Sequence, residues 1–277
     1  MPPLDLPTAP HVAVPRLSLG DRLRLWRGKR GLSQMALALS AGVSPRHLSF
    51  VENGRSKPSP ELVAELARQL DLSLRDSNEL MLAAGYAPPH RETSLAAPEM
   101  AAVRAAVERL LDAHDPFPGI ALDRHWNVVH GNRAALRLLQ RLPPVLATPP
   151  VNMFRASLHP EGFASITENF DDWGGHLVDA LDRLAAASLD PGLEALREEI
   201  GGYANVRTLR RRSAAPPIAT DMLMLTCVMR IGGARLSFFT SLVTLATPLD
   251  VTLSELKIEL FYPADDATAA TLRAAAA

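Results

Sequence analysis

One cysteine, Cys227, stands in the 277 residues, so no intramolecular disulfide can form, and a reducing cytoplasm is the expected compartment. No apolar run approaches the ~20 residues a membrane-spanning helix needs. A membrane is therefore not expected as a partner. The first seventeen residues hold Pro2, Pro3, Pro7, Pro10 and Pro15; they lack the make-up of a signal peptide and read as a disordered tail. Catalytic equipment is scarce too. The eight histidines are scattered without His-x-x-x-His spacing, and there is no Cys-x-x-Cys, no Gly-x-Ser-x-Gly and no phosphate loop. Nothing orders a nucleophile or a metal, so the sequence implies no catalytic residues, no metal, no cofactor and no enzyme. The adjacent acids Asp171-Asp172 and Glu198-Glu199 read as solvated surface. A serine–lysine self-cleavage site would need a lysine late in the chain, and Lys257 stands there alone without a surrounding motif.

Charge is unevenly placed. The whole chain carries a formal net charge of −1. From Arg16 to Lys57, however, there are nine basic residues (Arg16, Arg22, Arg24, Arg27, Lys29, Arg30, Arg46, Arg55, Lys57) against Asp21 and Glu52 alone. A local basic excess on a near-neutral protein is what phosphate binding requires. Within that stretch Ser33 can cap a short helix whose Leu37, Ala38 and Ala41 make one apolar stripe, and Gly42 can stop it in a left-handed turn. Val43 turns inward, and Ser44-Pro45 restarts a second helix with a capping hydroxyl and proline at its first position. Leu48 and Val51 are spaced to pack against the first helix, leaving Arg46, His47, Ser49 and Phe50 facing elsewhere. Leu19, Leu23 and Trp26 predict a helix before this pair. Ser59-Pro60 opens a fourth with Leu62, Leu66 and Leu70, and Ser73 with Asp76 opens a fifth that Gly85 ends. The plan is a DNA-reading helix-turn-helix.

Residues 18–86, with Gln34 opening the second helix and Glu52-Asn53-Gly54-Arg55 closing the third, resemble the Cro-type (XRE family) DNA-binding domain, an all-α five-helix, lambda-repressor-like unit. The resemblance implies double-stranded DNA as partner, with Gln34, Ser44, Pro45, Arg46 and Phe50 toward bases and Asn53, Arg55 and Lys57 on the backbone. Physical chemistry agrees for Arg46, which can pair bidentately with guanine O6 and N7. Phe50 can touch a thymine methyl or pack against the fourth helix. Pro45 departs from relatives that place a hydrogen-bonding side chain there.

The chain is too long for that unit alone. Residues 87–98, with Pro88-Pro89, read as a linker, 99–265 as a second domain and 266–277 as an alanine-rich tail. Met100, Val103, Val107, Leu110 and Leu111 predict an amphipathic helix. Gly119–Leu122 and Trp126–Val129 predict a hairpin around Asp123-Arg124-His125. Helices are expected near 131–142 and 164–187. The β-rich runs Met222–Arg230 and Leu236–Ala246 then flank the turn signal Gly232-Gly233. That order suggests an α+β, PAS-like fold: an antiparallel sheet with helices on one face and room between them for a small molecule.

Val151 to Gly162 with its Asn152-x-x-Arg155-x-x-x-His159 phrase, Trp126-Asn127-Val128-Val129 with Asn132-Arg133-Ala134, and the junction Leu82 to Pro88 resemble MmyB-type transcription regulators. The resemblance implies a PAS-like ligand-binding domain and a fatty acid as its ligand. Met222 to Met229 is apolar on both strand faces, which a doubly covered sheet, a dimer interface or an adaptable pocket wall would each explain. For a fatty acid the expected site residues are Arg155 or His159 for the carboxylate, backed by Arg124 or Arg133, with Asn152, Met222, Met224 and Phe238 beside it. Arg155 and His159 equally suit an internal hydrogen-bond network. Two readings stay open: a homodimeric regulator that senses a small apolar ligand, and a DNA-binding regulator whose second domain only dimerises or binds a protein.

Overall fold

The computed structural model describes residues 17–212 and 224–276. Of the expected tail only Leu17 falls within them, and Met222 lies outside. Two compact units emerge, one formed by the chain up to Thr93 together with Thr247–Ser254, the other by Ser94–Ala246 with Glu255–Ala277.

The first unit holds five helices: α1 (Leu19–Lys29), α2 (Gln34–Ser40), α3 (Pro45–Glu52), α4 (Pro60–Gln69) and α5 (Leu74–Ala83). Each follows a serine, Ser18, Ser33, Ser44, Ser59 or Ser73, whose Oγ accepts the backbone N–H three residues on, at 3.0–3.3 Å. These hydroxyls satisfy donors that a helix start otherwise leaves without partners. Gly42, at φ +68°, makes the turn between α2 and α3, where a Cβ would be strained. Leu23, Trp26, Leu37, Leu48, Leu66 and Leu80 fill the core. The buried stripe of α4 is Val63, Leu66, Ala67 and Leu70, and Leu62, expected in it, is only partly buried. Starting the i, i+3, i+4, i+7 pattern at Val63 accounts for the shift by one residue. Gly20 lets α1 cross the end of α3 closely, since a Cβ there would sit 1.9 Å from the Glu52 carbonyl oxygen.

The stretch read as a linker is partly fixed. Asn78 Nδ2 donates to the His90 carbonyl at 2.7 Å, and its Oδ1 accepts the His90 N–H at 3.0 Å. Val251 N–H donates to the Arg91 carbonyl at 2.8 Å. The Asp250 carboxylate accepts the backbone N–H groups of Thr93 and Thr252 at 3.1 and 2.9 Å.

The second unit is built on one antiparallel sheet of β1 (Gly119–Leu122), β2 (Val128–Gly131), β3 (Cys227–Ile231), β4 (Ala234–Thr244) and β5 (Lys257–Pro263), in the order β2-β1-β5-β4-β3. Both predicted hairpins form. Gly232 and Gly233, at φ +58° and +85°, make the two-residue turn between β3 and β4. The central strand β5 has no counterpart among the sequence expectations. Helix α6 (Ala101–Asp112) covers one sheet face, where Val107 and Leu111 meet Ala121, Ile258 and Leu260. The other face is covered by α7 (Arg133–Leu139), α8 (Pro144–Ala147), α9 (Met153–Leu158), α10 (Phe170–Ala186), α11 (Pro191–Gly201) and α12 (Ala204–Arg212), over the larger core of Leu122, Phe154, Leu158, Leu181 and Phe238. The fold is PAS-like, but with helices on both faces rather than one. Cys227 and Met229 belong to the larger core, and Val228, which alternates with them, is buried as well. After α13 (Val251–Glu255), the alanine-rich end forms α14 (Asp266–Ala274). Asp265 caps it by accepting the Thr268 N–H at 2.7 Å, and the fully buried Thr268 hydroxyl accepts the Ser237 N–H at 3.0 Å, so the expected tail is ordered against β4. No helix among the described residues is long and apolar enough to cross a membrane.

Candidate DNA-reading face and ligand cavity

In the first unit, a buried carboxylate sorts the basic residues into two groups. Glu52, 3 % exposed, accepts from Arg27 Nε and Nη2 at 2.9 and 3.2 Å and from Gln34 Nε2 at 2.8 Å. Arg22 pairs with Glu79 at 2.6 Å, and Arg24 with Asp21 at 2.7 Å. Arg30 donates to the carbonyls of Leu70 and Asp71, both at 2.8 Å, and lies over the Trp26 ring. Arg22, Arg27 and Arg30 tie α1 to other helices, and Arg24 besides its pair within α1 donates to the Glu52 carbonyl at 2.5 Å, so the basic excess counted along the sequence overstates what is left for phosphates. Gln34, expected at a phosphate or base edge, has its amide nitrogen committed to Glu52.

Most of the remaining expected contact residues, on α3 and just after it, are exposed. Ser44 and Pro45 are exposed at the start of α3, the Ser44 hydroxyl being occupied as the cap. Arg46 is exposed, and its guanidinium lies 5.4 Å from the centre of the Phe50 ring. The partly buried ring thus supports the arginine one turn earlier. Asn53 turns its amide back to the Ser49 carbonyl at 2.8 Å. Arg55 and Lys57 are exposed, with Lys57 Nζ 4.7 Å from the centre of the Tyr86 ring.

In the second unit a cavity of about 60 Å³ opens between the sheet and the helices, lined mainly by apolar side chains. Ile120, Cys227, Met229, Phe238, Glu259 and Phe261 form its sheet wall, and Leu138, Leu139, Met153, Phe154, Trp173 and Leu177 its helix wall, with Trp126 among the remaining lining residues. Of the expected ligand residues, the structure brings Phe238 to this lining. Met222 lies outside the described residues, and Met224 is half exposed and away from the cavity.

Arg155 and His159 are also elsewhere. Arg155 Nε and Nη2 grip the Glu199 carboxylate at 2.7–3.0 Å, and the Tyr203 hydroxyl donates to the same carboxylate at 2.8 Å. The Arg155 guanidinium lowers the Glu199 pKa, while burial, then Glu199, raises the Tyr203 phenol. The His159 ring stands edge-on to Tyr203. Asn152 is buried: its Oδ1 accepts the Arg155 N–H at 3.2 Å and its Nδ2 donates to the His125 carbonyl at 2.7 Å. Of the reserve cations, Arg124 lies 3.4 Å from Asp190 and Arg133 2.9 Å from Asp115. The conspicuous Asn-Arg-His phrase therefore ties α9 to α11 and to the β1–β2 turn.

Two side chains not foreseen contribute to the cavity's polarity. Glu259, 8 % exposed, sits on central β5 opposite Ile120 of β1 and Leu242 of β4. Burial pushes its carboxyl up to about 7, against a hydrogen bond from Thr240 that lowers it. The neighbouring Cys227 thiol is pushed up to about 12 by burial and by Glu259. Trp126 adopts φ +65°, rare for a bulky residue, in a turn organised by Asp123, whose Oδ1 accepts the N–H groups of His125 and Asn127, both at 2.8 Å. Its Nε1 is buried without a hydrogen-bond partner. A lone acid between Ile258 and Leu260 was the available signal for Glu259, legible only once 257–263 is known to be a strand. Among the described residues no cluster of histidine, cysteine or acids could hold a metal ion.

Comparison with known families agrees with this division. The MmyB-like transcription regulator ligand binding domain matches residues 103–275, and a helix-turn-helix family matches residues 23–77. No match was found among curated proteins. With more than half of its length in the first match and a DNA-reading unit ahead of it, the chain belongs to the MmyB-like transcription regulators, DNA-binding proteins with a ligand-sensing domain.

Proposed function

We propose that this protein is a cytoplasmic, homodimeric regulator whose affinity for its operator is set by an apolar molecule held in the cavity between the sheet and helices α7, α9 and α10. The observation that carries the reading is that cavity, walled by aromatic, methionine and leucine side chains. Its walls suit an alkyl chain, as in a fatty acid. In this reading Arg46 pairs with a guanine, supported by Phe50, while Ser44 and Pro45 approach the bases and Asn53, Arg55 and Lys57 meet phosphates. Gln34 contributes from its place beside Glu52. One such helix spans few base pairs, so two copies act on half-sites about 34 Å apart.

The test is mass spectrometry of the purified chain under denaturing conditions, paired with operator binding before and after lipid extraction. A co-purifying aliphatic molecule whose removal shifts operator affinity is expected. An empty cavity that takes up no aliphatic probe favours the alternative, in which the second domain only dimerises or binds a protein.

A further inference from the structure

The lining residues of the cavity include one acid, Glu259, no base, and the donors Trp126, Trp173, Ser157 and Thr167, the Thr167 hydroxyl being bonded to the Phe163 carbonyl at 2.8 Å. The candidates for a carboxylate's counter-charge, Arg155, Arg124 and Arg133, are each paired with an acid of the protein itself. Glu259 is the one charged side chain among the lining residues, and the groups around it are the Thr240 hydroxyl, the Cys227 thiol and the apolar Ile120 and Leu242. Of the buried polar atoms left without a partner among the described residues, Trp126 Nε1 is the one whose side chain lines this cavity. Buried donors and carboxyls are almost always hydrogen-bonded, and leaving one unpaired is costly. A ligand group that accepts would satisfy Trp126 Nε1, and one that also donates could add to the hydrogen bond that Glu259 shares with Thr240.

Resting on the reading of this cavity as the ligand site, we infer that the ligand's polar end is an uncharged hydrogen-bonding group, such as a hydroxyl or a primary amide, recognised by Trp126 and Glu259, and not a carboxylate anion. Two carboxylates in one apolar cavity repel strongly, and there is no lining cation to offset them. A fatty acid then enters only with its proton, so its affinity falls with rising pH. An alcohol or amide of the same chain length shows no such fall from ligand ionisation.

The experiment uses the full chain stripped of bound lipid, with decanol, decanamide and decanoate as probes, by calorimetry at about pH 8, where the free acid is ionised. Decanol and decanamide are expected to bind at least about tenfold more tightly than decanoate. Glu259→Gln narrows that gap. Trp126→Phe weakens decanol and decanamide while keeping a folded domain by near-ultraviolet circular dichroism. Decanoate binding as tightly as decanol to the unaltered protein overturns the inference and leaves the cavity as the ligand site. Failure of all three probes to bind overturns both. The comparison on the unaltered protein decides the matter even if a variant fails to fold.

Discussion

Glu259 holds its proton up to about pH 7 in the folded protein, because the carboxylate would have to lie among apolar side chains, whereas its ordinary value is 4.5. Between those values the folded state binds more protons than the unfolded one. Stability from this group is therefore full below about pH 4.5 and is lost as pH rises through 7, by up to about 3 kcal/mol in all. Glu259→Gln is expected to remove that decline, seen as a urea midpoint that no longer falls between about pH 5 and 8. A variant with the slope of the original protein means that the side chain is solvated. Gly20 carries a different constraint. With the Glu52 carbonyl 1.9 Å from where a Cβ would stand, Gly20→Ala is expected to destabilise the first unit by about 3 kcal/mol, the upper end of ordinary overpacking. An unchanged melting temperature rules out the close crossing of α1 and α3. On α3, Arg46→Ala should lose roughly 1–3 kcal/mol on the operator and little on random DNA, as expected of a base contact. Equal loss on both would make Arg46 a phosphate contact.

Helix α3 and strand β5 mark the two extremes of what could be read from the chain. Each of the first five helices is announced within a few residues, by a serine at its start and, for α2 and α5, by Gly42 and Gly85 after its end, so local chemistry defines them. That locality is testable. Ser44→Ala removes the cap of α3 and should lower stability by about 1 kcal/mol, measured by thermal unfolding. Neutralising Arg55 and Lys57 should flatten the salt dependence of DNA binding by about 0.9 in log–log slope per lost contact; an unchanged slope places both away from phosphates. Strand β5 depends on partners far away in sequence, β1 on one side and β4 on the other. Lys257, Glu259 and Pro263 break its apolar look, so nothing local marks it. Helix α11 was hidden for a related reason. Asp190-Pro191-Gly192 looks like a turn, yet Asp190 caps the helix by accepting the Gly192 N–H at 2.8 Å, with proline at its first position. The same contrast governs the two sites. The candidate DNA-contact residues come from one short segment and could be proposed from sequence alone, whereas the cavity gathers residues from β1, β3, β4, β5 and helices α7, α9 and α10. Arg155 and His159 drew attention as charges, and the structure uses them as ties between helices.

At the scale of the whole chain, two copies on one operator should bind far better than a lone reading unit. Deleting residues 99–277 is expected to leave a weak binder, monomeric in sedimentation; a fragment as tight as the full chain excludes assembly through the second domain. That deletion also removes Asp250 and Val251, which belong by contact to the first unit. Its result therefore needs the full-length Asp250→Ala protein beside it, to separate lost assembly from a loosened reader. The same feature bears on how such regulators can be recombined. A reader and a sensor joined by a plain tether could be exchanged like beads by one cut between them. Here one cut after Thr93 strands the Arg91 carbonyl and the Thr93 N–H on one piece and Val251 on the other, so a hybrid made at that point inherits a mismatched seam. Sensor swaps in this chain should succeed only when residues 247–254 travel with the reader, or are matched to it.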